Sequence, residues 1–332
     1  MKQTLRLDPH REPDLRTAAD LLRGGGCVAF PTETVYGLGV DATSQAAVKR
    51  AFVAKGRPAD NPLIVHLHCR NQLELYCHSV PAIAYSLMER FCPGALTLVL
   101  PKRSSIVDAV TAGLETVAVR FPAHATARAI LQMADVPVAA PSANRSGRPS
   151  GTTWQSVLED LDGRIDAVVC DAPCHIGIES TVVDVTGAEP VVLRCGSVSI
   201  QQLLEVCKDL RTLGQVIDPT VNSPGLRHRH YQPTGRVVLV SDLLDLQCQL
   251  SSAESSLGWG FIGLEALPGL NLGAGNCKAS ICENVDHYAR QIFSFFRECD
   301  SLGIGTIYCQ CVPDHGIGQA LMDRLKRAAS ES

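Results

Sequence analysis

The side chains able to do chemistry in this 332-residue chain are scattered rather than clustered. Lys55, Arg57, Arg120 and Arg194 supply cations, Thr32, Thr116, Ser142, Ser150 and Ser180 hydroxyls, and Asn144 and His66 further polar groups. Most fall where an apolar run ends, which is where rigid elements present functional groups. Cations with hydroxyl and amide groups and few free carboxylates suit a polyanionic substrate such as a nucleotide phosphate. Magnesium would then travel on the phosphates rather than in a protein cage. Taken singly, Lys55 and Arg57 also read as a solvated corner, Ser142 and Asn144 as a turn, and Ser180 as a local cap. Spacing alone does not bring these segments together.

Known short motifs are mostly absent. No GxxxxGK[ST], HExxH or GxSxG occurs. One GxGxxG match, at Gly258, Gly260 and Gly263, lies within the expected strand WGFIG rather than in a turn after a strand, which argues against a dinucleotide site. The 14 cysteines contain no CxxC pair, so they read as buried structural thiols of a reducing cytosol, not as a zinc site or disulfide framework.

The elements that must position these groups are alternating strands and helices. Helices are expected at 13–23, 44–54, 81–91, 124–133, 153–161 and 199–209, and strands at 27–30, 62–68, 96–101, 116–121, 136–140, 165–170, 181–185 and 190–194. Residues 27–68 read as a βαβ unit, with TETVYGLG as a turn-rich loop and a basic corner around Gly56. In TVAVRF the alternation puts Thr116, Ala118 and Arg120 on one side of the strand. Late strands outnumber helices, so the sheet is expected to be mixed. After about residue 210 the pattern weakens. The segment 222–236 is basic and aromatic, and strands at 237–240, 259–263 and 305–309 with helices near 241–251, 284–299 and 317–329 form a smaller α/β domain. The expected division is a catalytic domain at 1–205, a linker at 206–235 and a C-terminal domain at 236–332.

Length suggests roughly two domains. At 45% hydrophobic and 19% charged residues the composition is globular, and a net charge of −4 argues against a broad nucleic-acid coat. MKQTLRLDPHREPD has no apolar h-region, its acids argue against a transit peptide, and no apolar run nears the ~20 residues needed to span a bilayer. A cytoplasmic protein without membrane contact is expected.

FPTETVYGLG (30–39), KGRPADNPLIVH (55–66), TVAVR (116–120), PSAN (141–144), RPS (148–150), ESTVVD (179–184) and LRCG (193–196) resemble, in order, the motifs of the YrdC-type domain. SPGLRHRHYQP (223–233) is similar to the interdomain linker of the two-domain threonylcarbamoyl-AMP synthases, and 314–329 to their C-terminal domain. The resemblance implies an α/β fold with a twisted mixed sheet around a basic cavity, plus a smaller Rossmann-like C-terminal domain. It implies a nucleotidyltransferase that joins L-threonine, bicarbonate or CO₂, and ATP into threonylcarbamoyl-adenylate with release of pyrophosphate, in the presence of Mg²⁺. A partner transferase would pass the group to ANN-decoding tRNA, with at most weak RNA contact by this chain. By position, Lys55 and Arg57 become the catalytic cations. Thr32, His66, Arg120 and Ser180 become the threonine pocket. Lys55, Arg57, Asn61, Thr116, Ser142, Asn144, Ser150, Arg194 and Tyr231 become ATP contacts. Arg227, Arg229, His230 and Tyr231 would fold over the cavity as a lid. His228, Gln232 and Cys195 depart from the common family residues. Two other readings stay open: a double-stranded RNA-binding module, and a carbamoyl-adenylate-forming maturation enzyme, which would bring paired CxxC modules that this chain lacks.

Overall fold

A computed structural model describes residues 3–212, 231–252, 258–266 and 277–329. The chain divides into two compact units: Met1–Ser146 with Ser150–His228, and Gly147–Pro149 with Arg229–Ser332. Arg227, Arg229 and His230 of the expected lid lie outside the described residues.

The first unit runs β1 (Leu5–Leu7), α1 (Glu12–Arg23), β2 (Val28–Phe30), β3 (Gly37–Asp41), α2 (Gln45–Lys55), β4 (Ile64–His66), α3 (Leu73–Tyr76), α4 (Ala82–Phe91) and β5 (Leu96–Pro101). It continues with α5 (Asp108–Thr111), β6 (Thr116–Arg120), α6 (Ala125–Ala134), β7 (Val138–Ala139), α7 (Trp154–Leu161), β8 (Ala167–Val169), β9 (Thr181–Asp184), β10 (Val191–Arg194), α8 (Ile200–Val206) and β11 (Arg211–Thr212). These strands form an 11-stranded sheet in the order β1-β8-β2-β3-β7-β4-β6-β5-β9-β10-β11. Pairing is mixed: β4/β6 and β5/β9 are parallel, while β2/β3, β5/β6 and β9/β10 are antiparallel.

Two expectations change here. Residues 37–41 are not loop but β3, paired antiparallel with β2, so the opening stretch is a hairpin followed by a helix and β4. The βαβ relation holds between β3 and β4, with β7 inserted between them. Gly39 misleads a sequence reading because glycine suggests a turn; here a Cβ would meet the Phe30 ring at 2.7 Å and Val138 Cγ1 at 2.8 Å, so only glycine fits this strand. Residues 211–212, placed in the linker by the sequence, extend the sheet as β11 beside β10.

The two faces of the sheet are covered differently. One face carries Ala29, Leu38, Val40, Val65, Val117, Val119, Leu98 and Val183, packed in one core with residues of α2, α4, α5, α7 and α8. Ser44 caps α2 by accepting from Ala47 N, and Gly56 closes it in the left-handed region at φ 62°. On the opposite face, Ala18, Ala19 and Leu22 of α1 and Ala127, Ile130, Leu131 and Ala134 of α6 pack on β1, β8, β2 and β7, and α1 also lies against β3. Farther along that face, Ile64, Val99, Ala118, Val182 and Leu193 form a separate small cluster made of strand residues alone. These strand residues are themselves buried, and the candidate site is built around this apolar strip.

The second unit holds β12 (Arg236–Val240), α9 (Leu243–Ser252), β13 (Trp259–Gly263), β14 (Lys278–Ile281), α10 (Val285–Ser301), β15 (Thr306–Gln310) and α11 (Ile317–Ala329). Its sheet is parallel in the order β12-β15-β13-β14; β14 was not expected from the sequence. The GxGxxG glycines Gly260 and Gly263 lie within β13, as the sequence reading required. Among the described residues no helix is long and apolar enough to cross a membrane.

Candidate functional site

The strip acquires its polar groups through strand register. His66 of β4 pairs with Arg120 of β6, Arg120 with Thr97 of β5, Thr97 with Val182 of β9, and Val182 with Arg194 of β10. Register partners point to the same face, so one transverse row places His66, Arg120, Thr97 and Arg194 beside the apolar floor. The row spans roughly 19 Å at the usual strand spacing. Thr116 shares that face, four residues before Arg120 on β6 and roughly 13 Å away along it. The alternation read from TVAVRF is therefore observed.

Arg120 is 4% exposed. Its Nε donates to Gly94 O at 3.2 Å, Nη1 to Thr34 Oγ1 at 2.8 Å and Nη2 to Glu33 Oε1 at 2.7 Å. Three of the five guanidinium N–H groups are thus engaged, and the plane of the fork is fixed. Glu33 Oε2 also accepts from Ala123 N at 3.1 Å. Burial alone would raise the Glu33 carboxyl; the Arg120 charge and hydrogen bond outweigh it and hold the group below its ordinary value. Glu33 and Thr34 were seen in the sequence only as part of a polar turn. Their function depends on Arg120, 87 and 86 residues away, and no local signal carries that.

Thr32, expected in the threonine pocket, has its hydroxyl engaged within its own loop. Thr32 Oγ1 donates to Val35 O at 2.7 Å and accepts from Thr34 N and Val35 N at 3.2 and 3.3 Å, with Thr34 Oγ1 at 2.8 Å. Its proton and lone pairs are all used, so this side chain shapes the loop that brings Glu33 and Thr34 to Arg120.

His66 is 3% exposed, donates from Nδ1 to Ile64 O at 3.2 Å and meets Phe30 edge-on at 6.3 Å. Burial first, and then the Arg120 charge, push it from 6.5 down to about 3, so it stays neutral. Its folded pKa lies below the unfolded value. Its contribution is complete above pH 6.5 and is lost as pH falls toward 3. Stability should decline by about 1.4 kcal/mol per pH unit from this group in that window. Chemical denaturation between pH 7 and 4 checks it: His66→Gln should flatten the slope relative to the parent, and equal slopes would count against the assignment.

The basic corner forms the second end. Lys55, last residue of α2, is 3% exposed and donates to the backbone carbonyls of Ser142 and Asn144. Ser146 N in turn donates to Lys55 O at 2.9 Å. Arg57 donates to Asn61 O at 3.4 Å and Pro62 O at 3.1 Å. Ser142 Oγ donates to Asn144 Oδ1 at 2.5 Å, and Gly37 bridges to Ser142. The corner is thus not a solvated surface but a clamp that shapes the 142–146 loop. Ser150 Oγ donates to Glu179 Oε1 at 2.6 Å, next to Ser180. Arg194 donates to Ser180 O and Oγ, both at 3.1 Å. Gly196 lets these strands approach: a Cβ there would lie 2.2 Å from Thr181 N.

Tyr231 sits in the second unit, 5% exposed, with its ring stacked on Phe293 at 5.2 Å and the Arg324 guanidinium 5.4 Å from it. Among the described residues no group of three or more His, Cys, Asp or Glu could hold a metal. No disulfide joins the described cysteines, and burial pushes the Cys77, Cys92 and Cys174 thiols up to about 12.

Known proteins are similar to this chain over nearly its whole length. The family model described as "Telomere recombination" matches residues 20–196, and the one described as "Threonylcarbamoyl-AMP synthase, C-terminal domain" matches 198–330. The threonylcarbamoyl-AMP synthase of Pyrococcus abyssi is 40% identical over 95% of this chain and 94% of that protein. The Bacillus subtilis protein of the same name is 40% identical over 96% and 93%. A structure of P. abyssi Sua5 complexed with L-threonine superposes with a TM-score of 0.88 at 37% identity, covering 98% of this chain and 97% of that one. With both family models matched in succession and the relatives aligned nearly end to end, the chain belongs to the two-domain threonylcarbamoyl-AMP synthase family.

Proposed function

We propose that this chain makes threonylcarbamoyl-adenylate from L-threonine, CO₂ or bicarbonate, and ATP, with the site divided along the apolar strip. The observation that carries the reading is the transverse row, with its pinned guanidinium and neutral imidazole and with the Ser180 hydroxyl bonded to Thr97 and Arg194 of that row, together with the separate cation clamp. Arg120 keeps two N–H donors beyond those bound to protein, enough for a carboxylate. His66 adds no charge there. Apolar floor residues Ile64, Ala118 and Val99 suit the uncharged parts of threonine and nucleoside.

The threonine amine must be neutral to attack CO₂. The N–C bond forms and the amine proton leaves to solvent, giving a carbamate. A carbamate oxygen then attacks the α-phosphorus, the bond to the β-phosphate bridging oxygen breaks, and pyrophosphate departs. No covalent enzyme intermediate is needed, consistent with the missing nucleophile motif. This chain's part is positioning and charge stabilisation. Arg57 and the Lys55-shaped 142–146 loop would receive the phosphates, and Thr116, Ser150 and Arg194 would border the nucleotide. The cation, hydroxyl and amide donor set with few free carboxylates fits a magnesium ion carried by the triphosphate rather than by the protein. When bound, the ion would neutralise phosphate charge. Tyr231 would contact the nucleotide by resemblance alone; nothing above depends on it. A tRNA threonylcarbamoyl transferase would consume the product in the cytoplasm.

Mass spectrometry of the product formed from ATP, bicarbonate and L-threonine tests the reading, with L-serine as control. A threonine-dependent adenylate with matching pyrophosphate is expected. ATP hydrolysis indifferent to threonine would refute it.

A further inference from the structure

Thr97, the second residue of β5, is wholly buried and has one hydrogen-bond partner among the described residues: Ser180 Oγ at 2.8 Å, where either oxygen is able to donate. Ser180 Oγ also accepts from Arg194 Nη2 at 3.1 Å. Each hydroxyl has one proton and two lone pairs. Suppose the ligand group at Ser180 is a donor, such as an ammonium. Ser180 then accepts from it and from Arg194, and its own proton goes to Thr97. The Thr97 proton is left buried with no acceptor. Suppose instead that the ligand group is an oxygen acceptor. Thr97 donates to Ser180, Arg194 fills the second lone pair, and the Ser180 proton goes to the ligand. Every proton in the chain is then paired. A buried hydroxyl without an acceptor is disfavoured, so the second arrangement prevails.

We infer that Thr97 is a positioning residue that fixes Ser180 as a hydrogen-bond donor, so that this subsite takes a carboxylate oxygen and rejects an ammonium. The inference rests on the threonine reading above and narrows it. Thr97 is also the register partner of Arg120, so the Ser180 hydroxyl it holds is tied to the strand beside the Arg120 fork, and the inference assigns both to the same anion. The threonine carboxylate is the group that suits both.

Threonine-dependent pyrophosphate release by the full chain tests this in a double-mutant cycle of Thr97→Val and Ser180→Ala. Thr97→Val keeps the branched shape and removes the hydroxyl. It should raise KM for L-threonine by about three- to tenfold, the scale of one neutral hydrogen bond, with kcat and KM for ATP little changed. Thr97→Ser should restore the parent KM. In the Ser180→Ala background Thr97→Val should add nothing, because it acts through Ser180. Additive losses, an unchanged KM, or Thr97→Ser as impaired as Thr97→Val would overturn the inference. If Thr97→Val does not fold, Thr97→Ala in the same cycle gives the same reading. A wild type whose pyrophosphate release ignores threonine would overturn the parent reading and this one together. A threonine-dependent wild type with additive variants would overturn this one alone.

Discussion

Lys55→Ala should reduce threonine- and bicarbonate-dependent pyrophosphate release by on the order of 10²–10³, the usual consequence of removing one preorganised charge-stabilising group. The route is more specific than loss of a cation near phosphate. The ammonium is buried on the carbonyls of Ser142 and Asn144, so removing it leaves two acceptors without their partner and frees the loop that presents both side chains. Each orphaned acceptor costs about 1–3 kcal/mol, so the melting temperature should fall while the fold persists. KM for ATP should rise more than KM for threonine, because the clamp shapes the basic end and not the transverse row. Lys55→Arg should rescue poorly, since a planar fork does not replace a compact ammonium between two carbonyls. Steady-state kinetics with a thermal melt checks this; near-normal turnover of Lys55→Ala would remove Lys55 from the site.

Arg120→Ala carries the other large effect. The Glu33 side chain is 12% exposed and would lose its paired charge. Breaking a buried pair from one side typically destabilises by about 3–5 kcal/mol. The Glu33 carboxyl, now held low by Arg120, should rise, so the variant should gain stability as pH falls toward the ordinary carboxylate range, opposite to the parent. Arg120→Lys separates stability from binding. It keeps a charge near Glu33 but cannot reach Gly94 O, Thr34 Oγ1 and Glu33 Oε1 at once, so it should fold and still lose threonine affinity about 10²-fold. Calorimetric titration of L-threonine into Arg120→Lys measures this; parent-like affinity would mean the guanidinium does not hold the carboxylate.

Some of this was legible in the chain. The alternation in TVAVRF placed Thr116, Ala118 and Arg120 on one face because side-chain direction in a strand has period two and needs no partner. The cations at Lys55, Arg57, Arg120 and Arg194 announced a polyanion because charge is a property of residue type. Other features escaped. Gly37 and Gly39 read as a turn because glycine favours turns, whereas close packing against Phe30 and Val138 explains Gly39 better. Thr97 sat unnoticed in LTLVLP, since a lone threonine in an apolar strand looks like an ordinary β-former.

The sequence by itself determined the residue types, the order of the motifs, the mixed α/β class and the face to which Arg120 belongs. The tertiary structure decided the rest. It set the register that aligns His66, Arg120, Thr97 and Arg194 across strands distant in sequence. It paired Arg120 with Glu33, buried Lys55 on loop carbonyls, engaged the hydroxyl of Thr32 within its own loop and joined that of Ser180 to Thr97 and Arg194. The physical reason is common to these cases. What a polar group can offer a substrate depends on which of its donors and acceptors the protein already uses, and those partners are fixed by long-range register rather than by neighbours along the chain.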